Sequence, residues 1–323
     1  MTITPQDFAT RETPLQAADR FGAALGFAPG ALWIKRDDLT GLAGGGNKAR
    51  KLEYVCTEAV ISGADILVTG GSMPQSNQIS AVAAAANRIG MRTRAVLPGP
   101  VPSRLEGNLV PSHLLGVEYV WLEEVPTQGM QWAIHREVEQ LLGRGHRPYE
   151  IPLGVSSPVG SLGYVTAALE IEAQAPDRSI VYHATGTGGT QAGLAVGFGE
   201  HARVRGVDTG TPWNVAEVVD ELSVAVAQVA GREKPCGEAE VLTDQVGRGY
   251  GVPTEQAREA IELLARTEGI LCEPIYTGKA LAGLIADRRS GRLAPDQATV
   301  FLHTGGMSLL YTSECARWLS QRS

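Results

Sequence analysis

Residues 180–193 read IVYHATGTGGTQAG, and the assignment of the fold starts from this stretch. A short apolar segment, Ile180–Ala184, leads into a loop of threonines and glycines, and a helical pattern begins directly after it. Strand, glycine loop and helix start in succession are typical of parallel α/β proteins, which bind ligands beyond the carboxyl ends of their strands. Free N–H groups at such a helix start, together with the hydroxyls of Thr187 and Thr190, predict a phosphate site.

The same loop also partly matches the dinucleotide fingerprint G-x-G-x-x-G. Gly186 and Gly188 fit this pattern, and Asp208 lies at a suitable distance for the acidic residue, but Gln191 stands where the third glycine belongs. The pattern therefore favours a phosphate over a whole dinucleotide. A nicotinamide-dependent oxidoreductase stays open as a remote alternative on these residues.

Around this stretch, short β-branched segments alternate with longer segments that have apolar residues at three- and four-residue spacing. Candidate strands are Leu32–Lys35, Ile66–Thr69, Arg94–Leu97, Glu118–Trp121, Tyr149–Ile151, Ile180–Ala184, Val204–Asp208 and Thr299–His303. Candidate helices cover residues 50–61, 76–89, 127–143, 157–175, 254–268 and 306–319. Asn47 and Thr254 are the expected N-caps of the first and the fifth of these helices. This alternation predicts an α/β fold with mostly parallel sheets covered by helices on both faces.

The composition is that of an enzyme-sized soluble protein. The chain has 323 residues, 43% of them hydrophobic, and a net charge of -7 without a basic run, which argues against a nucleic-acid partner. No apolar run approaches the length of a membrane helix. The four cysteines lie far apart and form no CxxC pair. His303 has no second ligand at metal spacing, so we expect it to be a packed residue at a strand end. We therefore expect a cytoplasmic protein with reduced thiols, no membrane association and no metal.

Four further loops carry candidate functional residues. Residues 44–51 read GGGNKARK and place Lys48 and Lys51 on one face at the start of a helix, an arrangement that suggests an anionic ligand. Residues 69–78, TGGSMPQSNQ, again follow a strand with glycines and expose a hydroxyl and an amide. Residues 273–280, EPIYTGKA, and 303–306, HTGG, complete the set. Each of these loops by itself is also compatible with an ordinary capped helix entry.

Together these segments resemble the fold-type II pyridoxal-phosphate (PLP) enzymes, in particular the D-cysteine desulfhydrase and 1-aminocyclopropane-1-carboxylate (ACC) deaminase family. The matching segments are IKRDDLTGLAGGGNKARKLEY, QSNQ, IPLGVSSPVGSLGYV, ATGTGGTQAG, GYGVP, EPIYTGKALAGL and HTGG, and they follow in the order of the family. The resemblance implies a tryptophan synthase β-like fold with two open, twisted, mostly parallel sheets. It further implies a small α/β domain at 52–160, a large PLP-binding domain made of 1–51 and 161–323, and a homodimer.

The resemblance also implies the roles of individual residues. Lys48 would form the Schiff base with PLP, and Ser76, Tyr276 and Tyr250 would join it in catalysis. The residues expected to bind the cofactor are Lys48, Lys51, Asn77, Gly186, Thr187, Gly188, Gly189, Thr190, Thr277 and Thr304. The residues expected to bind the substrate are Gln75, Ser76, Asn77, Gln78, Ser156, Tyr250, Tyr276 and Gly305.

The expected reaction is an α,β-elimination on a small cysteine-like amino acid, giving pyruvate, ammonia and sulfide. At positions 277 and 304 the chain resembles the desulfhydrases, which have YTGK and HTGG. ACC deaminases instead resemble YEGK in the tyrosine motif and carry leucine where this chain has Thr304. The resemblance implies that Thr277 faces the pyridine nitrogen. The loop GGSMPQSNQIS is about one residue longer before QSN than expected for the family, and Ser80 replaces an arginine that is common there. An ACC deaminase, an L-cysteate sulfo-lyase and a β-replacement enzyme therefore stay open as alternatives.

Overall fold

The computed structural model describes residues 4–71, 76–123 and 125–321. The strands are Leu15–Ala17 (β1), Leu32–Lys35 (β2), Ile66–Gly70 (β3), Arg92–Pro98 (β4), Glu118–Leu122 (β5), Pro148–Glu150 (β6), Ile180–Thr185 (β7), Val204–Asp208 (β8), Glu240–Leu242 (β9) and Thr299–Leu302 (β10). The helices are Asp19–Leu25 (α1), Lys48–Ile61 (α2), Gln78–Arg88 (α3), Leu109–Leu114 (α4), Met130–Gly143 (α5), Pro158–Gln174 (α6), Gly189–Phe198 (α7), Val215–Ala230 (α8), Glu255–Glu268 (α9), Thr277–Ser290 (α10) and Ser313–Ser320 (α11).

These strands form two separate sheets. The larger sheet has the order β1-β2-β10-β7-β8-β9, in which only the pair β1 and β2 is antiparallel. The smaller sheet has the order β5-β4-β3-β6 and is parallel throughout. The prediction of an α/β fold with two mostly parallel sheets and covering helices is confirmed, whereas the exact boundaries of the two domains stay a prediction.

Each sheet packs its apolar faces against helices. On the larger sheet, one cluster joins Phe301 and Tyr182 to helices α9 and α10, and a second joins Val181 and Val300 to α6 and α7. On the smaller sheet, α5 covers one face through Ile134, and α2 and α3 cover the other. Burial of both faces explains why the central strands are almost continuously apolar. In the described residues, no helix is both long and apolar enough to cross a membrane.

A buried network of charges connects α2 to the larger sheet and to α6. Arg50 on α2 is 1% exposed and binds Asp37 through Nε at 2.8 Å and Glu170 of α6 through Nη1 at 2.7 Å. Lys35 of β2 binds the second oxygen of Glu170 at 3.0 Å, and Tyr164 donates its hydroxyl to Asp37. Two cations and two carboxylates thus balance each other, which is the condition under which charges are tolerated in a protein interior.

The pKa values of the two carboxyl groups report the strength of this network. Burial by itself would raise the pKa of Asp37, but the charge and hydrogen bonds of Arg50 outweigh it, so the pKa lies below its ordinary value. The same balance of burial against hydrogen bonds from Arg50 lowers the pKa of Glu170. Both groups are therefore ionised at neutral pH, and their contribution to stability is lost only as the pH falls through these lowered values.

We expect Arg50→Met to destabilise the fold strongly, since it leaves Asp37 and Glu170 buried without a guanidinium. Removing one member of a buried pair typically costs about 3–5 kcal/mol. Arg92→Met is the matched control, because Arg92 is 51% exposed in its ion pair with Glu118, and such surface pairs contribute about 1 kcal/mol or less. Urea unfolding should therefore show a clearly lower midpoint for the first variant only. Equal midpoints would contradict the structural importance of the network.

Candidate active site

A cavity of about 1060 Å³ lies where the carboxyl ends of the two sheets meet. Its walls come from the loops that follow β3, β4, β7, β8 and β10, together with the first turn of α2. The parallel direction of the strands is the reason for this convergence, because every carboxyl end of a parallel sheet lies at the same edge. The loops that the sequence marked as unusual therefore meet at one place.

The first turn of α2 brings Lys48 into this cavity. Gly46 precedes the helix with φ +122°, and a Cβ atom at this position would lie 2.8 Å from the carbonyl oxygen of Thr304. The N–H of Asn47 donates to that same carbonyl at 3.1 Å. Only glycine permits this close approach of two backbones, so the glycine run places the start of α2 against the loop after β10.

The side-chain amine of Lys48 has a lowered pKa and a hydrogen bond to its neighbour Asn47. Its Nζ donates to Oδ1 of Asn47 at 2.9 Å, and in the described part of the chain it forms no ion pair with a carboxylate. Burial lowers its pKa to about 8, which increases the neutral, nucleophilic fraction of the amine near physiological pH. Asn47 makes no capping hydrogen bond, contrary to its expected role as N-cap; its amide instead bridges Lys48 and the hydroxyl of Thr190 at 3.2 Å.

Lys51, Ser156 and the loop 186–190 form a second polar group, here called the anion cradle. Nζ of Lys51 donates to the carbonyl of Gly154 at 3.1 Å and to the hydroxyl of Ser156 at 3.2 Å. The Ser156 hydroxyl also lies 2.8 Å from that of Thr187 and accepts from the N–H of Gly189. Ser156 therefore belongs to the anion cradle and not to the substrate side where it was expected. It does not itself line the cavity as described.

The electrostatics of the anion cradle favour a bound anion. Burial, and to a lesser extent the nearby charge of Lys48, lowers the pKa of Lys51 well below its ordinary value. No carboxylate within the described residues pairs with this lysine, so an anionic ligand would restore its charge. The loop has the space for such a ligand, since Gly188 has φ +76° and a Cβ at Gly189 would lie 2.9 Å from Nζ of Lys51. Trp213, which the sequence did not indicate, fixes the loop by donating to the carbonyl of Gly186 at 2.7 Å.

The segment before α3 provides the expected substrate side. Ser76 and Asn77 line the cavity, and the Ser76 hydroxyl accepts from the N–H of Gln78 at 3.2 Å. Gln75, which was also predicted to contact the substrate, lies outside the described residues.

Gln78 also lines the cavity, but its side chain is committed to the protein. Nε2 donates to the hydroxyl of Thr69 at 2.8 Å and to the carbonyl of Pro152 at 3.0 Å, while Oε1 accepts from the N–H of Gly154 at 2.5 Å. Both donors and the acceptor are thus in use. The side chain connects the start of α3 to Gly154, whose carbonyl receives Lys51, so it supports the anion cradle and is not available to hold a substrate.

Two tyrosines stand together on the opposite wall. The hydroxyls of Tyr250 and Tyr276 are 2.5 Å apart, and their rings meet edge to face with centroids 6.1 Å apart. Burial and the neighbouring Tyr250 raise the pKa of Tyr276 well above its ordinary value, so its hydroxyl is protonated at neutral pH and can donate a hydrogen bond. Both tyrosines line the cavity where the sequence placed them.

Thr277 and Thr304, which the sequence treated as a pair, have different positions. Thr304 and Gly305 line the cavity, whereas Thr277 is fully buried at the start of α10 and is absent from the described lining. Its hydroxyl donates to Glu273 at 3.0 Å and accepts from the Glu273 N–H at 3.1 Å. Both bonds hold the hydroxyl to Glu273, and the contact of Thr277 with a pyridine nitrogen stays a prediction.

Glu273 is a residue of the site region whose role was not recognised in the sequence. Its carboxylate accepts from the N–H groups of Ile275, Tyr276 and Thr277 at 2.6 to 2.9 Å, so it satisfies the free donors at the start of α10. Burial raises its pKa despite these bonds. An acidic residue just before a helix start was the available signal. By holding this turn, Glu273 positions Tyr276.

One protein family and several solved structures are similar to this chain. The model of the family described as pyridoxal-phosphate dependent enzyme matches residues 7–305. A crystal structure described as an ACC deaminase homologue is 32% identical, has a TM-score of 0.88, and covers 98% of this chain and 95% of that one. The processed form of threonine deaminase isoform 2 from Solanum lycopersicum is 18% identical, with a TM-score of 0.67 over 92% and 80% of the two chains. A pyridoxal 5'-phosphate-dependent aspartate racemase is also 18% identical, with a TM-score of 0.64 over 91% and 90%.

The last two structures share the fold alone, whereas the family match extends over nearly the whole chain. This protein therefore belongs to the pyridoxal-phosphate dependent enzymes, and its cofactor is pyridoxal 5'-phosphate.

Proposed function

We propose that this enzyme catalyses an α,β-elimination on a small β-substituted amino acid, as a D-cysteine desulfhydrase-like lyase. The observation that carries the proposal is the placement of Lys48, with its lowered pKa, between the anion cradle and the segment of Ser76 and Asn77. When bound, PLP supplies an electron sink for the negative charge that develops at the α carbon of the substrate. The protein must then hold the cofactor, orient the substrate and move protons.

The anion cradle fits the phosphate group of the cofactor. It offers a buried ammonium without a carboxylate partner in the described residues, the hydroxyls of Ser156 and Thr187, and the N-terminal N–H groups of α7. The phosphate would restore the charge that burial otherwise disfavours on Lys51. Asn77 stands on the ring side of the cavity, where we place it beside the ring hydroxyl of the cofactor, and Thr304 provides a polar wall next to the ring.

Lys48 is the residue to which we assign both attachment of the cofactor and proton transfer at the α carbon. Lys279, the lysine of the segment EPIYTGKA, donates to the carbonyls of Thr209, Val246 and Gly249 at 2.9 to 3.1 Å. Its three donors are occupied, and it does not line the cavity within the described chain. Lys51 is directed towards Ser156 and Gly154. Lys48 alone of these three combines access to the cavity with a lightly held amine.

On the substrate side we assign the carboxylate to Ser76 and the adjacent backbone. Tyr276 and Tyr250 border the reacting atoms, where the protonated hydroxyl of Tyr276 can donate a hydrogen bond to the substrate. ACC deamination is the alternative within the family, and the polar Thr304 at the cavity wall favours elimination over it. A homodimer in the cytoplasm that acts on free amino acids is part of the proposal and depends on the family resemblance.

A substrate panel tests the proposed reaction. The purified enzyme with PLP should convert D-cysteine and β-chloro-D-alanine to pyruvate and ammonia, and D-cysteine should also release sulfide. ACC should give no 2-oxobutanoate, because its ring has no leaving group on the β carbon. Formation of 2-oxobutanoate from ACC, without pyruvate from the other compounds, would replace elimination by deamination.

The role of Lys48 is tested by attachment of the cofactor. Borohydride reduction followed by peptide mapping should place the label on Lys48, and Lys48→Arg should abolish the label, whereas Lys234→Arg at the exposed surface should keep it. The rate of cofactor attachment should rise between about pH 7 and 9, since the neutral amine increases through a pKa of about 8. A label on Lys51 or Lys279 would overturn the assignment.

Gln78→Ala tests whether this residue supports the anion cradle. The change leaves the N–H of Gly154 without its partner, and losing such buried hydrogen bonds typically costs about 1–3 kcal/mol. We expect PLP to bind about 10- to 100-fold more weakly, with a smaller change in the KM for the amino acid once the cofactor is saturating. Gln140→Ala, at an exposed position, is the control. A rise in KM alone would instead indicate direct contact of Gln78 with the substrate.

A further inference from the structure

One side of the cavity is an apolar wall, formed by Pro98, Val125, Thr127, Met130 and Leu153. These residues follow strands of the smaller sheet: Pro98 ends β4, Val125 and Thr127 connect β5 to α5, Met130 begins α5, and Leu153 follows β6. Leu153 lies in the segment IPLGVSSPVGSLGYV, but neither it nor the other four residues had been assigned a role from the sequence. Met130 is 3% exposed and packs in the same cluster as Ile134, so the wall continues the core of the smaller sheet.

The apolar wall belongs to the same sheet edge as the proposed carboxylate site. Ser76 follows β3, which pairs directly with β4, and the backbone of Gly70 at the end of β3 lies against Val96 and Ile134. A substrate held by its carboxylate at Ser76 therefore has the apolar wall beside it. The anion cradle and the two tyrosines come from the larger sheet or the loops near it, and they form the other side of the cavity.

When cofactor and amino acid are bound, the described lining of the cavity has no cation left for a further anionic group. Among the described lining residues, the only cations are Lys48 and Lys51, and there is no arginine, histidine or carboxylate. The phosphate carries nearly two negative charges and the substrate carboxylate one. A second anionic group on the substrate would face the apolar wall without a counterion, which is strongly unfavourable.

We propose that the natural substrate, within the elimination proposed above, carries an uncharged and largely apolar sulfur substituent on its β carbon, as in an S-alkyl cysteine. A thioether suits a wall that contains Met130, because sulfur and methyl groups pack there without requiring hydrogen bonds. Sulfonate, phosphate and carboxylate substituents are excluded by the charge balance. This inference argues against the L-cysteate sulfo-lyase alternative.

The net reaction balances with water as the only further reactant. The α proton moves to Lys48, the bond between the β carbon and sulfur breaks, and sulfur leaves with the electron pair and takes up a proton as a thiol. Hydrolysis of the remaining three-carbon product then gives pyruvate and ammonium. No oxidant, reductant or metal is required.

The test compares matched substrates on the holoenzyme, each as both enantiomers. S-methylcysteine should exceed cysteate and O-phosphoserine in kcat/KM by at least tenfold, and a smaller ratio would overturn the inference. β-Chloroalanine separates the two proposals: its elimination without that of S-methylcysteine would remove this inference alone, whereas a fully loaded enzyme that eliminates none of them would remove the proposed function. If none of them is eliminated, the change in cofactor absorbance on ligand binding still measures which ligand the cavity prefers. Tighter binding of cysteate than of S-methylcysteine would contradict the apolar wall.

A substitution in the apolar wall provides an independent test. Thr127 is partly exposed in a turn, so Thr127→Arg adds a cation beside the substrate without opening the core. It should raise kcat/KM for cysteate at least tenfold and lower kcat/KM for S-methylcysteine. Thr127→Gln is the matched control, being polar and extended but uncharged. An arginine that improves cysteate no more than glutamine does would show that the side chain of the substrate does not face this wall.

Discussion

The buried ion network around Arg50 is the interaction on which the active site depends. Arg50 lies between Lys48 and Lys51 on the first turns of α2, and its guanidinium binds Asp37 beside β2 and Glu170 on α6. The helix that presents both functional lysines is thus held to the larger sheet by charge-assisted bonds in an interior where neither partner can be exchanged for water. Close packing reinforces the connection, because Gly163 of α6 allows the backbone of α2 to approach where a Cβ would lie 2.3 Å from the carbonyl oxygen of Arg50. The position of Lys48 relative to the loops of the larger sheet follows from this arrangement.

The lysines at the active site differ from the cations of the buried network because they have no paired carboxylates in the described part of the chain. Arg50 and Lys35 each form ion pairs with carboxylates. Within the described residues, Lys48 and Lys51 form no ion pair with a carboxylate. Burial without a counterion lowers both of their pKa values, and the energetic cost is recovered when an anionic cofactor binds. The contrast separates the two structural cations, Arg50 and Lys35, from the two lysines of α2 to which we assign a function. It also limits the substrate, because the positive charge of the cavity is used by the phosphate and the α-carboxylate.

Much of the fold was predictable from local sequence patterns. Each of the eight predicted strands is present, and Thr254 caps α9 as expected, accepting from the N–H of Ala257. Strands β1 and β9, each of three residues, were not predicted. Residues 306–319 were expected to form one helix and instead form a short turn followed by α11. His303 is a packed residue at a strand end, as predicted, with Nε2 2.8 Å from the carbonyl of Leu271.

The sequence by itself determined the parts of this protein that depend on neighbouring residues: the strands, the helices, and the glycine loops where a backbone must take positive φ or approach another chain segment closely. Parallel topology then brings the loops together, and half of the described residues that line the cavity had been assigned to the site from the sequence. Only the tertiary structure decided how the polar groups are shared among partners. Gln78 serves Gly154, Thr277 serves Glu273, and Arg50 pairs with Glu170 across 120 residues of sequence. A side chain with several donors can satisfy them in many ways, and the choice depends on which groups the completed fold buries beside it.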